Sequence, residues 1–220
     1  MRLRLILLVA ALAVVAAACA PPPVLRDPNF LKDTSLITGD PCEAPCWRNI
    51  IPGETSWRNA VVLVEDDPQL TNPERQDDQE TGARRLNFTD AGGPQCCSIY
   101  SADGNTVTSI LTLLAPDITL GELIAKHGEP AYLTGDDVTP DQSLVFLIYP
   151  DVPMVLYAFA AGRAEGELSA SSEIIGAIYV TQEDMDVLME NTDLYTWEGY
   201  GRLSTVLDGN FDLTRQPQDS

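Results

Sequence analysis

Two stretches of the chain share one pattern, and that repetition narrows the possible folds more than any other feature. "IIPGETSWRNAVVLVEDDP" begins at Ile50 and "LAPDITLGELIAKHGEP" at Leu114, and aligning Pro52 with Pro116 also brings Thr55 onto Thr119. Each has a proline turn, a threonine placed to cap the first helical amides, a short apolar-periodic run and a proline that ends it. In the second, Leu120, Leu123, Ile124 and His127 follow i, i+3, i+4, i+7 and share one helical face. Beyond each helix the chain turns β in character. After the first come "RRLNFTD", "QCCSIYS" and "TVTSILTLL", the last two joined by "ADGN", whose Asp-Gly accepts the positive φ angles of a tight hairpin. After the second come "SLVFLIYP", "MVLYAFA" and "EIIGAIYVT". A helix and three strands, met twice, predict an α+β fold and not a doubly wound nucleotide-binding one. The expected architecture is two tandem units of short helix followed by antiparallel strands, over 41–114 and 115–182, forming one sheet or two small packed sheets. Residues 183–220 are expected to hold a short helix in "QEDMDVLMEN", an aromatic segment and a polar tail.

The chain opens "MRLRLILLVAALAVVAAACA": two arginines, an apolar run from Leu5 to Ala18, then small residues before Cys19. The run falls short of the ~20 residues that span a bilayer, and "APPP" comes at once after it. This reads as an export signal over 1–18. "AAAC" at 16–19 resembles the lipobox of bacterial lipoproteins, although Ala16 stands where leucine is usual. The resemblance implies that Cys19 is lipidated and becomes the new N-terminus. Several acyl chains on one cysteine hold a domain at a membrane surface without a spanning helix. Residues 19–40 are then expected to be a tether, and the location is the bacterial cell envelope, on the outer face of a membrane.

Loss of Arg2 and Arg4 with the signal moves the formal charge from -20 to -22. Acidic residues outnumber basic ones 33 to 13, and no basic run occurs, which excludes nucleic acid as a partner. The acid lies in stretches such as "EDDPQLTNPERQDDQE" and "TGDDVTPDQ", read as solvated loops.

Beyond Cys19 the cysteines are Cys42, Cys46, Cys96 and Cys97. Outside the cytoplasm four cysteines suggest disulfides, with three possible connectivities. A zinc site is disfavoured because adjacent residues of a strand point to opposite faces. A staple is the favoured reading. Closing about 50 residues restricts the unfolded chain by roughly 4 kcal/mol, against about 2 for the Cys42 to Cys46 loop. The expected form is therefore a 42/46 turn lying across the strand and bonded to Cys96 and Cys97. The alternative is a thiol-disulfide or copper-delivery role for Cys42/Cys46, with His127 as the candidate third ligand.

Catalytic signals are weak. His127, the one histidine, sits on an apolar helical face with no motif supplying a nucleophile or an orienting carboxylate. No "GxSxG", "HExxH" or phosphate-cradling loop occurs. Asp208, Asn210 and Asp212 occupy the first oxygen positions of an EF-hand loop. Leu213, however, replaces its glycine and Asp219 its glutamate, so an acidic tail is expected and no metal or cofactor. "LYTWEGYGRL" places Tyr195, Trp197 and Tyr200 within six residues, a candidate binding surface of rings that offer large contact area at little entropic cost.

The residues Thr119, Leu120, Leu123, Gly128 and Pro130, with Pro52, Gly53 and Thr55, resemble the helix-plus-sheet units of BamE/SmpA-type outer-membrane lipoproteins and of tandem-repeat β-lactamase inhibitor proteins. The chain also resembles lipoproteins with a "PCW…PG.T" opening. Such proteins bind or scaffold other proteins and are not enzymes. The resemblance implies a lipid-anchored extracytoplasmic binding or envelope-scaffolding protein whose partner is another extracytoplasmic protein or envelope component.

Overall fold

The computed structural model describes residues 25–139, 142–160 and 167–202. Four helices are described: α1 (Ser35–Thr38), α2 (Trp57–Glu65), α3 (Leu120–His127) and α4 (Gln182–Asn191). The strands are β1 (Leu70–Asp77), β2 (Arg84–Asp90), β3 (Gln95–Ser101), β4 (Ser109–Thr119), β5 (Tyr132–Thr139) and β6 (Gln142–Tyr149). They continue with β7 (Met154–Ala160), β8 (Glu167–Leu168), β9 (Glu173–Val180), β10 (Tyr195–Thr196) and β11 (Gly201–Arg202). Sheet far outweighs helix.

The main sheet has nine antiparallel strands in the order β1-β2-β3-β4-β9-β7-β6-β5-β10. Each unit is a helix followed by a four-strand meander, β1 to β4 after α2 and β5, β6, β7 and β9 after α3. The two meanders join through their last strands, with Ile110 opposite Tyr179 and Thr112 opposite Ala177. The two units thus form one sheet whose strand order runs outward in the same way on either side of the antiparallel β4/β9 seam. The boundary expected at 114/115 falls inside β4, which runs directly into α3.

The fourth strand of each unit corrects the expectation of three. β1 lies within the acidic stretch expected to be a loop. It is exposed from Asn72 to Asp77 and pairs only with β2, so it needs no apolar alternation. Pro73 falls where the β1/β2 register shifts, a place in an edge strand where a missing N–H disrupts nothing. β5, "YLTGDDVT", carries the other acidic stretch into the sheet.

The helices form for local reasons. In α2, Trp57, Ala60, Val61 and Val64 are buried at i, i+3, i+4, i+7. Its cap corrects the expected equivalence: Ser56, not Thr55, accepts from the Asn59 amide, while Thr55 Oγ1 accepts from the Ile51 amide at 2.8 Å and closes the preceding turn. Thr119 caps α3 as expected. Its hydroxyl oxygen accepts from the Glu122 amide, and the Glu122 carboxylate accepts from the Thr119 amide at 3.0 Å in a reciprocal box. The Thr119 donors hold the Glu122 carboxyl below its ordinary pKa.

One face of the sheet carries the main core. Trp47 stacks on Phe88 with ring centroids 5.9 Å apart, among fully buried Ile50, Ile99, Ile110, Leu120, Leu123 and Leu147. The segment before residue 40 is not a tether in the part described. Phe30, Leu31 and Leu36 are buried in this core, and Leu31 bridges to Leu114 at the irregularity where β4 departs from β9. Residues 19–24 lie outside the described residues.

Candidate functional site

Cys42 and Cys46 are bonded to each other, and so are Cys96 and Cys97. This corrects the expected long bridges between the two pairs. β2 and β3 shift register between Phe88 and Thr89: Phe88 faces Cys97 and Thr89 faces Gln95, so Cys96 is the extra residue of a bulge. The long-bridge expectation rested on loop-closure entropy, whereas the bulge interrupts the alternation of neighbouring strand residues and lets the two adjacent cysteines meet. Both cysteines are then buried in the core.

The Cys42–Cys46 loop is held on the body from several sides. Trp47 is buried and donates through Nε1 to Asp33 Oδ2 at 2.8 Å. Arg48 pairs with Asp67 and lies 3.5 Å from Asp33, its guanidinium over the Trp47 ring. Lys126 of α3 pairs with Glu43 at 2.8 Å. His127 is committed elsewhere, its Nε2 lying 2.6 Å from the Leu36 carbonyl oxygen and its ring against Tyr149. Among the described residues no group of three or more His, Cys, Asp or Glu side chains is placed to hold a metal ion. Cys19 and the acidic stretch of Asp208, Asn210, Asp212 and Asp219 lie outside the described residues.

The aromatic triplet does not form one exposed patch. Trp197 is 8% exposed and belongs to the main core. Tyr195 is half-buried in β10, opposite Leu133 on the edge of β5, while Tyr200 is exposed and meets the Trp197 ring edge-on at 5.9 Å. The segment closes the sheet edge, and of the three rings only Tyr200 is largely open to solvent.

The accessible apolar surface lies on the opposite face of the sheet. Val155, Tyr157 and Phe159 of β7, Leu144, Phe146 and Ile148 of β6 and Ile178 of β9 alternate away from the main core. Gly176 stands opposite Tyr157, and a Cβ there would lie 2.8 Å from the tyrosine ring, so glycine is what lets that ring lie across β9. Phe146 meets Tyr157 edge-on at 5.1 Å, and burial pushes the Tyr157 phenol up to about 12.

α4 covers part of this face. Thr181 caps it, accepting from the Asp184 amide at 3.0 Å, and Met185 is buried against Ile148 and Val155. The helix begins just after β9 ends and is followed by β10 on the edge of β5. Its ten residues span about 15 Å at 1.5 Å per residue. The three steps from β9 to β5 span roughly 14 Å at ~4.8 Å each, so α4 is long enough to reach from one to the other, and its Met185 packs over β6 and β7.

Beside α4 runs a groove of about 480 Å³. Ile178, Tyr157, Phe146 and Thr134 contribute to its floor, Leu188 and Asp184 to one wall, and Tyr100 to its β3 end. No motif names this groove, because its residues come from six strands and one helix and meet only once the strand order is known. Compared with family models, curated proteins and solved structures, the chain matches none of them.

Proposed function

We propose that the protein is a lipid-anchored extracytoplasmic binding or envelope-scaffolding protein without catalytic activity, which presents the α4 face of its sheet to another macromolecule. The observation that supports this reading is the apolar groove that, among the described residues, is left open where α4 covers only part of a sheet face. Sheet faces of this composition are ordinarily covered, and an exposed apolar surface bounded by polar groups marks an interaction site. The export signal and lipobox resemblance supply the address, the bacterial envelope, and Cys19 the anchor.

Photo-crosslinking in intact cells tests the binding face. A photoreactive side chain replacing Leu188 should form a discrete adduct, while one replacing exposed Val62 on α2 should not. Equal adducts at both positions, or none at Leu188, would overturn the assignment of this face.

A further inference from the structure

The way the chain enters the fold carries an inference about the groove. Arg26 pairs with Glu173 and lies over Phe159, a residue on the groove's side of the sheet. Four residues later Phe30 is buried in the main core on the other side, so between them the chain passes from one face of the sheet to the other. The segment ahead of Arg26 therefore starts on the face that α4 covers only in part. Phe159 and Tyr157 stand two residues apart on β7, roughly 7 Å at ~3.3 Å per residue, and Tyr157 lines the groove. Residues 20–25, "APPPVL", span about 19 Å at the ~3.1 Å per residue of a polyproline helix. The groove lies within their reach.

Chemistry matches this segment to the groove. Tyr100, Phe146 and Tyr157 give the groove an aromatic lining, and proline-rich segments dock in aromatic-lined grooves because their extended form is set before binding. Gly176, opposite Tyr157, lets that ring lie flat across β9. Asp184 is the one carboxylate of the lining, and it already accepts from the Thr181 hydroxyl. "APPPVL" carries no charge, so no ion of the segment is desolvated on entering an apolar slot. Its prolines lack an N–H, and their carbonyls are acceptors only. The Tyr157 phenol, which has no hydrogen-bond partner among the described residues, is a donor for such an acceptor. Attachment to the same chain also holds the segment near the groove at an effective concentration on the order of millimolar, so a weak fit keeps the slot filled.

We propose that residues 20–25 lie in the groove beside α4 as a strap of the chain's own, which the macromolecular partner displaces. This rests on the reading that the α4 face binds a macromolecule, and it adds what occupies that face before the partner arrives.

The test is made in intact cells with the photoreactive side chain replacing Leu188. After tryptic digestion, the peptide carrying position 188 should be found joined to the peptide that ends at Arg26, and the same probe replacing Val62 on α2 should give no such link. A probe replacing Val24 should link in the other direction, to α4 or to a strand of the lining. Pro21→Gly, Pro22→Gly and Pro23→Gly together, with Cys19 and Ala20 kept so that export is unaltered, should cut the internal link at least threefold and raise the partner adduct at position 188 by a similar factor. Circular dichroism must show the triple variant folded.

An internal link as strong in the triple variant would reduce the effect to the nearness of a tethered segment and overturn the inference. A Val24 probe that links only to another protein would overturn it as well. If position 188 gives a partner adduct and no internal link, the strap is wrong and the binding face stands. If the internal link forms but no partner adduct appears even in the triple variant, nothing displaces the strap and the functional reading falls. If position 188 links to neither, both fall.

Discussion

Cys96 and Cys97 are bonded to each other because one extra residue in β3 turns both onto the core side, and the consequence is visible in a digest. Under non-reducing conditions, cleavage after Arg48 and Arg85 should release the two cysteine pairs on separate peptides, each lighter by two hydrogens than its reduced form. One linked species would restore the long bridges. Asp103 carries a second prediction. Its carboxylate accepts from the Asn105 amide at 2.8 Å, the Thr106 amide at 3.0 Å and the Ser101 hydroxyl at 3.0 Å, in the turn where Gly104 takes a φ of 73°. Those donors, the Thr106 amide first, hold its carboxyl well below the usual carboxylate range. A lowered folded pKa contributes stability that is present above the ordinary value of about 4 and lost as pH falls through the folded one. In urea titrations, the stability difference between parent and Asp103→Asn should be constant near neutrality and shrink below about pH 4. A difference that widens on acidification would contradict this.

The helices show how far single elements can be read from sequence. "QEDMDVLMEN" is α4 to the residue, and Thr119 with Glu122 announces the start of α3. Thr55 misleads because Ser56 comes next: both can cap, and only the packing of Trp57 toward the core decides the register. Thr119→Ala and Ser56→Ala should each cost about 1 kcal/mol in denaturant unfolding. Hydrogen exchange should separate the neighbours: Ser56→Ala exposes the Asn59 amide, whereas Thr55→Ala exposes that of Ile51. Central strands were legible because their sequences are apolar and β-branched. β1 was not, since an edge strand exposed over most of its length looks like an acidic loop. The groove was legible only as fragments. Leu188 could be placed on α4, but nothing local tells that α4 would lie over β6 and β7 and leave a slot beside itself.

For the whole molecule the expected address and the observed fold meet at Arg26. It pairs with Glu173 and lies over the Phe159 ring at 5.0 Å, so the chain lies close to the sheet seven residues after Cys19. A protein anchored through Cys19 on so short a lead would sit near its membrane. Replacing Cys19 with serine should move the protein from the detergent phase to the aqueous phase on Triton X-114 partition, and a variant that stays in the detergent phase would remove Cys19 as the anchor. The seam between β4 and β9 has a further consequence. Each half of the sheet ends there in a strand whose seam-side hydrogen-bonding groups pair with the other half. In assembly terms the two halves meet edge to edge as protomers of a dimer do, and a severed half would carry an open strand edge.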